Sequence, residues 1–391
     1  MSRRQADAIV VGGGVVGAAC ALALSRLGLD VALVEARRPD AWSPGSPDLR
    51  VYAFAPDNAS LLEDLGVWGH VLEARAQPYR SMRVWDAAGG GELAFDADAL
   101  GRPELGWIVE HGLLVDVLWQ AIARSNVRLL CPAAVEALQQ DDAGVELRLD
   151  DGTRVAATVA IAADGAQSAV RRLAGIDVSV HDYAQRGLVA YVQTDLPHQA
   201  TAWQRFLPTG PLAFLPCADG SSSIVWTLPE DEAERVLVLD DQAFGAVLTR
   251  AFDARLGEVA PRSRRVAFPL RRQLADTHAR GRVLVLGDAA HVVHPLAGQG
   301  VNLGLRDVSS LVAWVGKARG SRQDWRSGEK LERWARGRRS EAAVAAHAFD
   351  AINRFFSNDA LLPTALRGPL LGLAGRLPPL SRGLWRKAAG L

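Results

Sequence analysis

Three glycines spaced Gly12-x-Gly14-x-x-Gly17, with Val15 and Val16 between the last two, and a carboxylate at Glu35 are the residues of this chain best suited to joint chemistry. Glycines so spaced permit a tight turn, a close approach of the backbone to a pyrophosphate, and close packing of a helix on a strand. The backbone N–H groups and positive dipole end of that helix then face the phosphates. Glu35 follows at the distance expected of an acid that accepts hydrogen bonds from the ribose hydroxyls of an adenosine. A carboxylate there repels a 2′-phosphate, so the dinucleotide is FAD or NAD. Other reactive side chains are sparse. His291 and His294 stand three apart with no thiolate or carboxylate cluster beside them, and no metal site is expected.

The glycines need a strand before them and a helix after. Asp7 to Val11 is small, β-branched and apolar, an Ala/Leu-rich segment follows the glycines and stops near Gly28, and Val31 to Val34 reads as a second buried strand. The first 35 residues are thus a βαβ unit with parallel strands in a doubly wound sheet. Asp150-Asp151-Gly152 between alternating segments predicts a hairpin. Thr158–Ala163 and Arg282–Leu286 return to buried strands, each followed by an acid-bearing turn, Asp164-Gly165 and Gly287-Asp288. Between about Gly175 and Arg272 the short apolar runs predict a mostly β unit, with helical periodicity only near Glu230 to Arg255. The first unit is therefore discontinuous, and the C-terminal quarter reads as helical.

Lys plus Arg and Asp plus Glu both number 44 in 391 residues, so no whole-chain field exists to gather nucleic acid, and none is expected as a partner. Three scattered cysteines, Cys20, Cys131 and Cys217, make no disulfide framework, and Cys20 reads as a small core residue. A reducing, cytoplasmic setting is expected. No apolar run reaches the roughly 18 residues that a spanning helix needs. From Ala360 to Leu391 there is no acid, and leucines and arginines are intermixed. That pattern suits either contact with a membrane surface or an ordinary amphipathic pair.

The glycines, the segment Asp164-Gly165-Ala166-Gln167-Ser168-Ala169-Val170-Arg171, and Gly287-Asp288-Ala289-Ala290-His291 with Pro295 and Gly298-Gln299-Gly300-Val301-Asn302 together resemble the three fingerprints of class A flavoprotein aromatic hydroxylases. The longer run from Gly287 to Val308 is similar to the signature of the ubiquinone-biosynthesis hydroxylases. Trp203–Ala213, Phe268-Pro269-Leu270 and Arg354–Asn358 also resemble that family.

The resemblance implies an α/β fold like that of p-hydroxybenzoate hydroxylase, with a Rossmann-type FAD domain (1–75, 106–175 and 276–345), an inserted mostly β substrate domain (76–105 and 176–275) and a C-terminal helical region (346–391). It implies FAD as cofactor. Asp288 would bond the ribityl hydroxyls, and Gly300, Val301 and Asn302 would point a helix N-terminus at the negative charge of reduced flavin. Asp164 would lie between flavin and reductant, with a helix-capping role as its alternative. Arg50 lies in a segment resembling the one that passes the flavin, or is a solvated arginine. Glu110-His111 departs from the Glu-Asn expected there. Trp203, Phe206, Phe214 and Phe268 read as core packing of a β unit, with contact to a substrate ring as the alternative.

The activity implied is hydroxylation of a polyprenylated phenol or quinol on the way to ubiquinone, with NAD(P)H and O2 as cosubstrates. No second glycine fingerprint provides NAD(P)H with a domain, and no side-chain acid or base is assigned to oxygen transfer. The peripheral inner face of the plasma membrane and a ubiquinone-biosynthesis complex are the expected surroundings. The alternatives are a same-fold flavin monooxygenase acting on a soluble aromatic or secondary metabolite, and a non-catalytic FAD-binding scaffold.

Overall fold

A computed structural model describes residues 5–87, 91–294 and 300–356. Pro295 and the acid-free segment after Ala360 lie outside them. The N-terminal apolar run forms β1 (Ala6–Val11), the glycine turn leads into α1 (Val15–Arg26), and β2 (Val31–Val34) returns beside β1 in parallel register, Val10 opposite Leu33. On the other side β1 pairs in parallel with strand Arg154–Ala162, Val10 opposite Ile161. That strand continues the sheet to Val283–Val285, again in parallel. Such strands are covered on both faces, which is why they read as unbroken apolar runs rather than alternating ones.

The two faces are covered differently. Val10, Leu33, Ile161 and Leu284 pack under α1 and the helices His111–Ala123 and Gly300–Gly320. The next residue along each strand points the other way, so Ile9, Val34, Ala160 and Val283 meet a different layer. That layer is the antiparallel trio Val135–Gln140, Val145–Leu149 and the start of Arg154–Ala162, with the short helix Ala169–Leu173. A doubly wound sheet would carry helices there. The alternating residues around Asp150-Asp151-Gly152 instead fold back as a hairpin and occupy the space.

A second sheet runs in the order His291–Val292, Val266–Ala275, Val178–Thr194, Ser222–Pro229, Gly210–Pro216, Thr201–Leu207, Ser81–Asp86, Glu92–Asp96. Leu188, Phe214, Ile224 and Trp226 on one face pack against helices Glu230–Leu237 and Asp241–Ala251 through Ala233, Val236, Phe244 and Leu248. The opposite face looks toward the first sheet. A small antiparallel sheet, Val51–Phe54 with Gly106–Glu110 and Gln77–Tyr79, fills the gap between the two. Helix Gly328–Phe356 closes the described chain and packs against Gly300–Gly320 through Leu331, Trp334 and Ala335.

Candidate functional site

The glycine turn opens into a cavity of about 420 Å³ lined by Gly12, Gly14, Val15, Val16, Glu35, Asp164 and Gly165 among others. Two of its glycines are demanded by the protein itself. A Cβ on Gly12 would stand 2.3 Å from the carbonyl oxygen of Ala163, and one on Gly17 only 1.9 Å from that of Gly12. Gly14 differs: a Cβ there meets nothing within 4 Å, and the residue is the N-cap of α1 with no side-chain cap. Among the described residues the helix therefore starts in open space, and its first turn, whose N–H groups have no intrahelical partner, lines the cavity, the arrangement that receives a phosphate. Space at Gly14 that no protein atom claims is what a bound pyrophosphate requires.

Glu35 lines the same cavity and fastens the turn, since the Gly13 N–H donates to its Oε2 and the Arg37 N–H to Oε1 at 3.0 Å. An ionised carboxylate has about four acceptor sites, so capacity for ribose hydroxyls remains. Asp164 caps a helix, one of the two roles considered for it, and also lines the cavity. Its Oδ2 accepts from the N–H groups of Ala169 at 2.8 Å and Val170 at 3.2 Å, capping the short helix, while its Oδ1 is buried without a protein partner.

A second cavity of about 480 Å³ adjoins the first and shares four wall residues with it, Arg50, Tyr52, Asp288 and Val301. Its floor is the inner face of the second sheet, with Val189, Leu215, Val225, Val266, Phe268 and Leu270, and Gly300 and Val301 bring the start of helix Gly300–Gly320 to its wall. Arg50 and Asp288 face each other across the junction at 3.9 Å, both partly solvated, so the pair is weak and free to rearrange.

Tyr52 and His111 flank this junction, with the tyrosine hydroxyl 2.9 Å from Nδ1 of the imidazole. Burial, and then the charge of Arg50, lowers His111 to about 4, so the ring is neutral near pH 7. Glu110 accepts from the Trp42 indole and the Asp48 N–H and pairs with Arg75, which holds the loop ahead of Arg50. The Glu110-His111 departure is thus accommodated, with the histidine on the wall of the first cavity.

Asn302 begins a helix as expected, but its side chain turns away from both cavities. Its Oδ1 accepts from the Ala55 N–H and from Asn58, and its Nδ2 donates to the Ala53 carbonyl, so it locks the strand that follows Arg50 to the helix. The turn carrying Asp288 is held from beneath by Asp307, whose Oδ2 accepts from the Gly287 N–H at 3.0 Å and pairs with His291 at 2.7 Å. Arg338 meets Asp307 Oδ1 at 2.8 Å, fully inside the protein. Burial alone would raise the Asp307 carboxyl; His291 and Arg338 outweigh it and hold it at about 2. Sequence reasoning missed this cluster. Its one signal was that Asp307 is the single acid of helix Gly300–Gly320.

The aromatic candidates divide by sheet alternation. Phe268 lines the second cavity. Trp203 and Phe214 do not: they point to the helix-covered face, Phe214 stacked on Phe252 at 3.7 Å and Trp203 edge-on to Trp85. Phe206 points to the other face but lies toward the far edge of the sheet with Val84 and Leu93. These three are core residues, because alternate residues of a strand face opposite sides and composition does not tell which. Among the described residues no group of three or more His, Cys, Asp or Glu is disposed to hold a metal, and no helix is long and apolar enough to cross a membrane.

The family described as FAD binding domain matches residues 5–342. The chain is 36% identical over 393 residues to 3-demethoxyubiquinol 3-hydroxylase of Escherichia coli, covering 100% of both. It is 36% identical to ubiquinone hydroxylase UbiL of Rhodospirillum rubrum, covering 99% of this chain and 90% of that one. Among solved structures, p-nitrophenol 4-monooxygenase of Pseudomonas putida superposes with a TM-score of 0.78 at 20% identity, covering 98% and 97% of the two chains, and so shares the fold.

Proposed function

The chain belongs to the FAD-binding-domain family, and from that membership we propose that this FAD-dependent hydroxylase acts on the ring of a polyprenylated phenol or quinol in ubiquinone biosynthesis. One observation carries the reading: a largely apolar cavity of about 480 Å³ adjoins the glycine-turn cavity and shares Arg50, Tyr52, Asp288 and Val301 with it. A ring seated there lies against the cofactor compartment. The substrate class is supported by relatives named for ubiquinone intermediates that align over nearly the whole chain.

The chemistry that FAD supplies when bound is activation of O2 at the expense of NAD(P)H and delivery of one oxygen atom to an electron-rich ring. The residues that would hold it are Gly12, Gly14, Val15, Val16 and Gly17 at the pyrophosphate, Glu35 at the adenosine ribose, and Arg50, Asp164, Gly165 and Asp288 along the rest of the cleft. Gly300 and Val301 present helix N–H groups that stabilise negative charge on their side of the cleft. Val189, Leu215 and Val225 exclude water from the ring compartment, and fixed walls hold the ring in one orientation. Arg50, Arg264 and Arg271 on this cavity are offset by Asp48, Asp288 and the Asp182 that pairs with Arg271, so the described residues form no strongly basic pocket for a soluble aromatic acid.

The test is NAD(P)H oxidation by purified flavoprotein given a prenylated methoxyphenol under air, with mass spectrometry of the product. A product heavier by one oxygen is expected. Neither NADH nor NADPH bleaching the flavin, with substrate present, would refute the reading. We also place the protein at a membrane surface, on the acid-free, Leu/Arg-rich sequence from Ala360 to Leu391. Flotation with anionic liposomes, with and without that segment, tests this; equal behaviour of the two would remove it.

A further inference from the structure

The ring cavity, at about 480 Å³, holds a substituted ring but not a long isoprenoid chain as well. A tail attached to that ring has to pass through the wall. Strand Val266–Ala275 forms one side of the cavity, and along it Val266, Phe268 and Leu270 face inward while Ala267 joins the opposite core. Leu270 is 2% exposed and Phe268 is 40% exposed, so at Phe268 the wall is one side chain thick.

The backbone around Phe268 is arranged to let that side chain move. Gly187 stands opposite it in register, and a Cβ at 187 would lie 3.0 and 3.1 Å from Cζ and Cε2 of the ring and 3.2 Å from Leu270 Cδ2. The ring therefore rests over bare backbone. Next to it Pro269 has no N–H to give the ladder, and the partner strand shifts register between Asp182 and Arg186, with Ala184 at a φ of +50°. The phenyl ring has no hydrogen bond to break when it swings aside, and the isoprenoid that replaces it is equally apolar.

We propose that Phe268, seated on Gly187, is the gate past which the isoprenoid tail leaves the ring cavity, and thereby the residue that sets tail specificity. This rests on the preceding reading of the substrate. The test uses the flavin-loaded protein and two probes, 2-methoxyphenol and its 6-farnesyl derivative. Dissociation constants are read from perturbation of the flavin absorbance without reductant, and kcat and KM from turnover.

For Phe268→Trp, whose larger ring blocks the passage, the ratio of the farnesylated to the tail-free dissociation constant rises about ten-fold over the unaltered protein, equivalent to about 1.4 kcal/mol. For Phe268→Ala it falls below the starting ratio. A ratio unmoved in both variants while the unaltered protein hydroxylates the farnesylated probe would overturn the gate alone. An unaltered protein that neither binds nor oxidises either probe would overturn the substrate reading and the gate with it.

Discussion

The carboxylate of Asp307 accepts the backbone N–H of Gly287 at 3.0 Å, and so fixes the residue immediately ahead of Asp288 from inside the protein. Removing one partner of a buried charge pair costs about 3 kcal/mol or more, because the other charge is left without compensation. Asp307→Asn is therefore expected to lower the unfolding free energy by that order, through Arg338, seen as a lower chemical-denaturation midpoint, and to weaken retention of FAD after gel filtration. Unchanged flavin content and unchanged midpoint would remove the positioning role of Asp307.

Glycines 14 and 17 separate binding from folding. Gly14→Ala places its methyl in the cavity where no protein atom stands, so the protein folds with a near-normal melting temperature and binds FAD more weakly, as read by flavin fluorescence titration. Gly17→Ala places its methyl 1.9 Å from the Gly12 carbonyl oxygen and destabilises the fold by about 1–3 kcal/mol through overpacking. The reverse pattern would contradict the assignment of Gly14 to the ligand.

Burial lowers His278 and His294 from 6.5 to about 4. Between those values the unfolded chain takes up protons that the folded chain refuses, so stability falls as pH drops from 7 toward 4, by up to about 3 kcal/mol for each ring. Asp307 acts further down: its contribution is present above 3.8 and is lost as pH falls through about 2. His294 bonds nothing through either ring nitrogen among the described residues. The variant His294→Leu should flatten the melting-temperature profile between pH 6.5 and 4, and a profile as steep as before would reject the neutral buried ring.

The two faces of the second sheet give opposite variants. Phe214→Ala, on the helix-covered face, should cost about 3–5 kcal/mol of stability and leave KM for the ring substrate unchanged in the folded fraction. Val225→Phe, one strand away on the cavity face, should raise KM while keeping stability within about 0.5 kcal/mol. If Phe214→Ala shifted KM and Val225→Phe did not, the faces would be exchanged.

The βαβ unit was legible because its signals are local: an apolar run, glycines, a helix stop at Gly28, and an acid at Glu35, all within 35 residues. The Asp164 and Asp288 turns were legible for the same reason, each standing at the end of a buried strand. What was not legible depends on contacts between distant segments. Asn302 and Asn58 are 244 residues apart, Asp307 and Arg338 lie on separate helices, and nothing in either local sequence names the partner. Trp203 and Phe214 take the core packing that aromatic residues of a β unit favour, but which of the four aromatics reaches the cavity was not legible: in a sheet whose two faces are both apolar, hydrophobicity alone leaves the direction of every side chain undetermined.

Three residues beyond Asp288, His291 and Val292 pair antiparallel with Leu274 and Gln273, on the strand that also carries Phe268. The turn at the base of one compartment is thereby stitched into the same edge ribbon as the wall of the other. The two compartments share a seam, so the backbone that bears the Asp288 turn and the backbone that bears Phe268 are held in one fixed register.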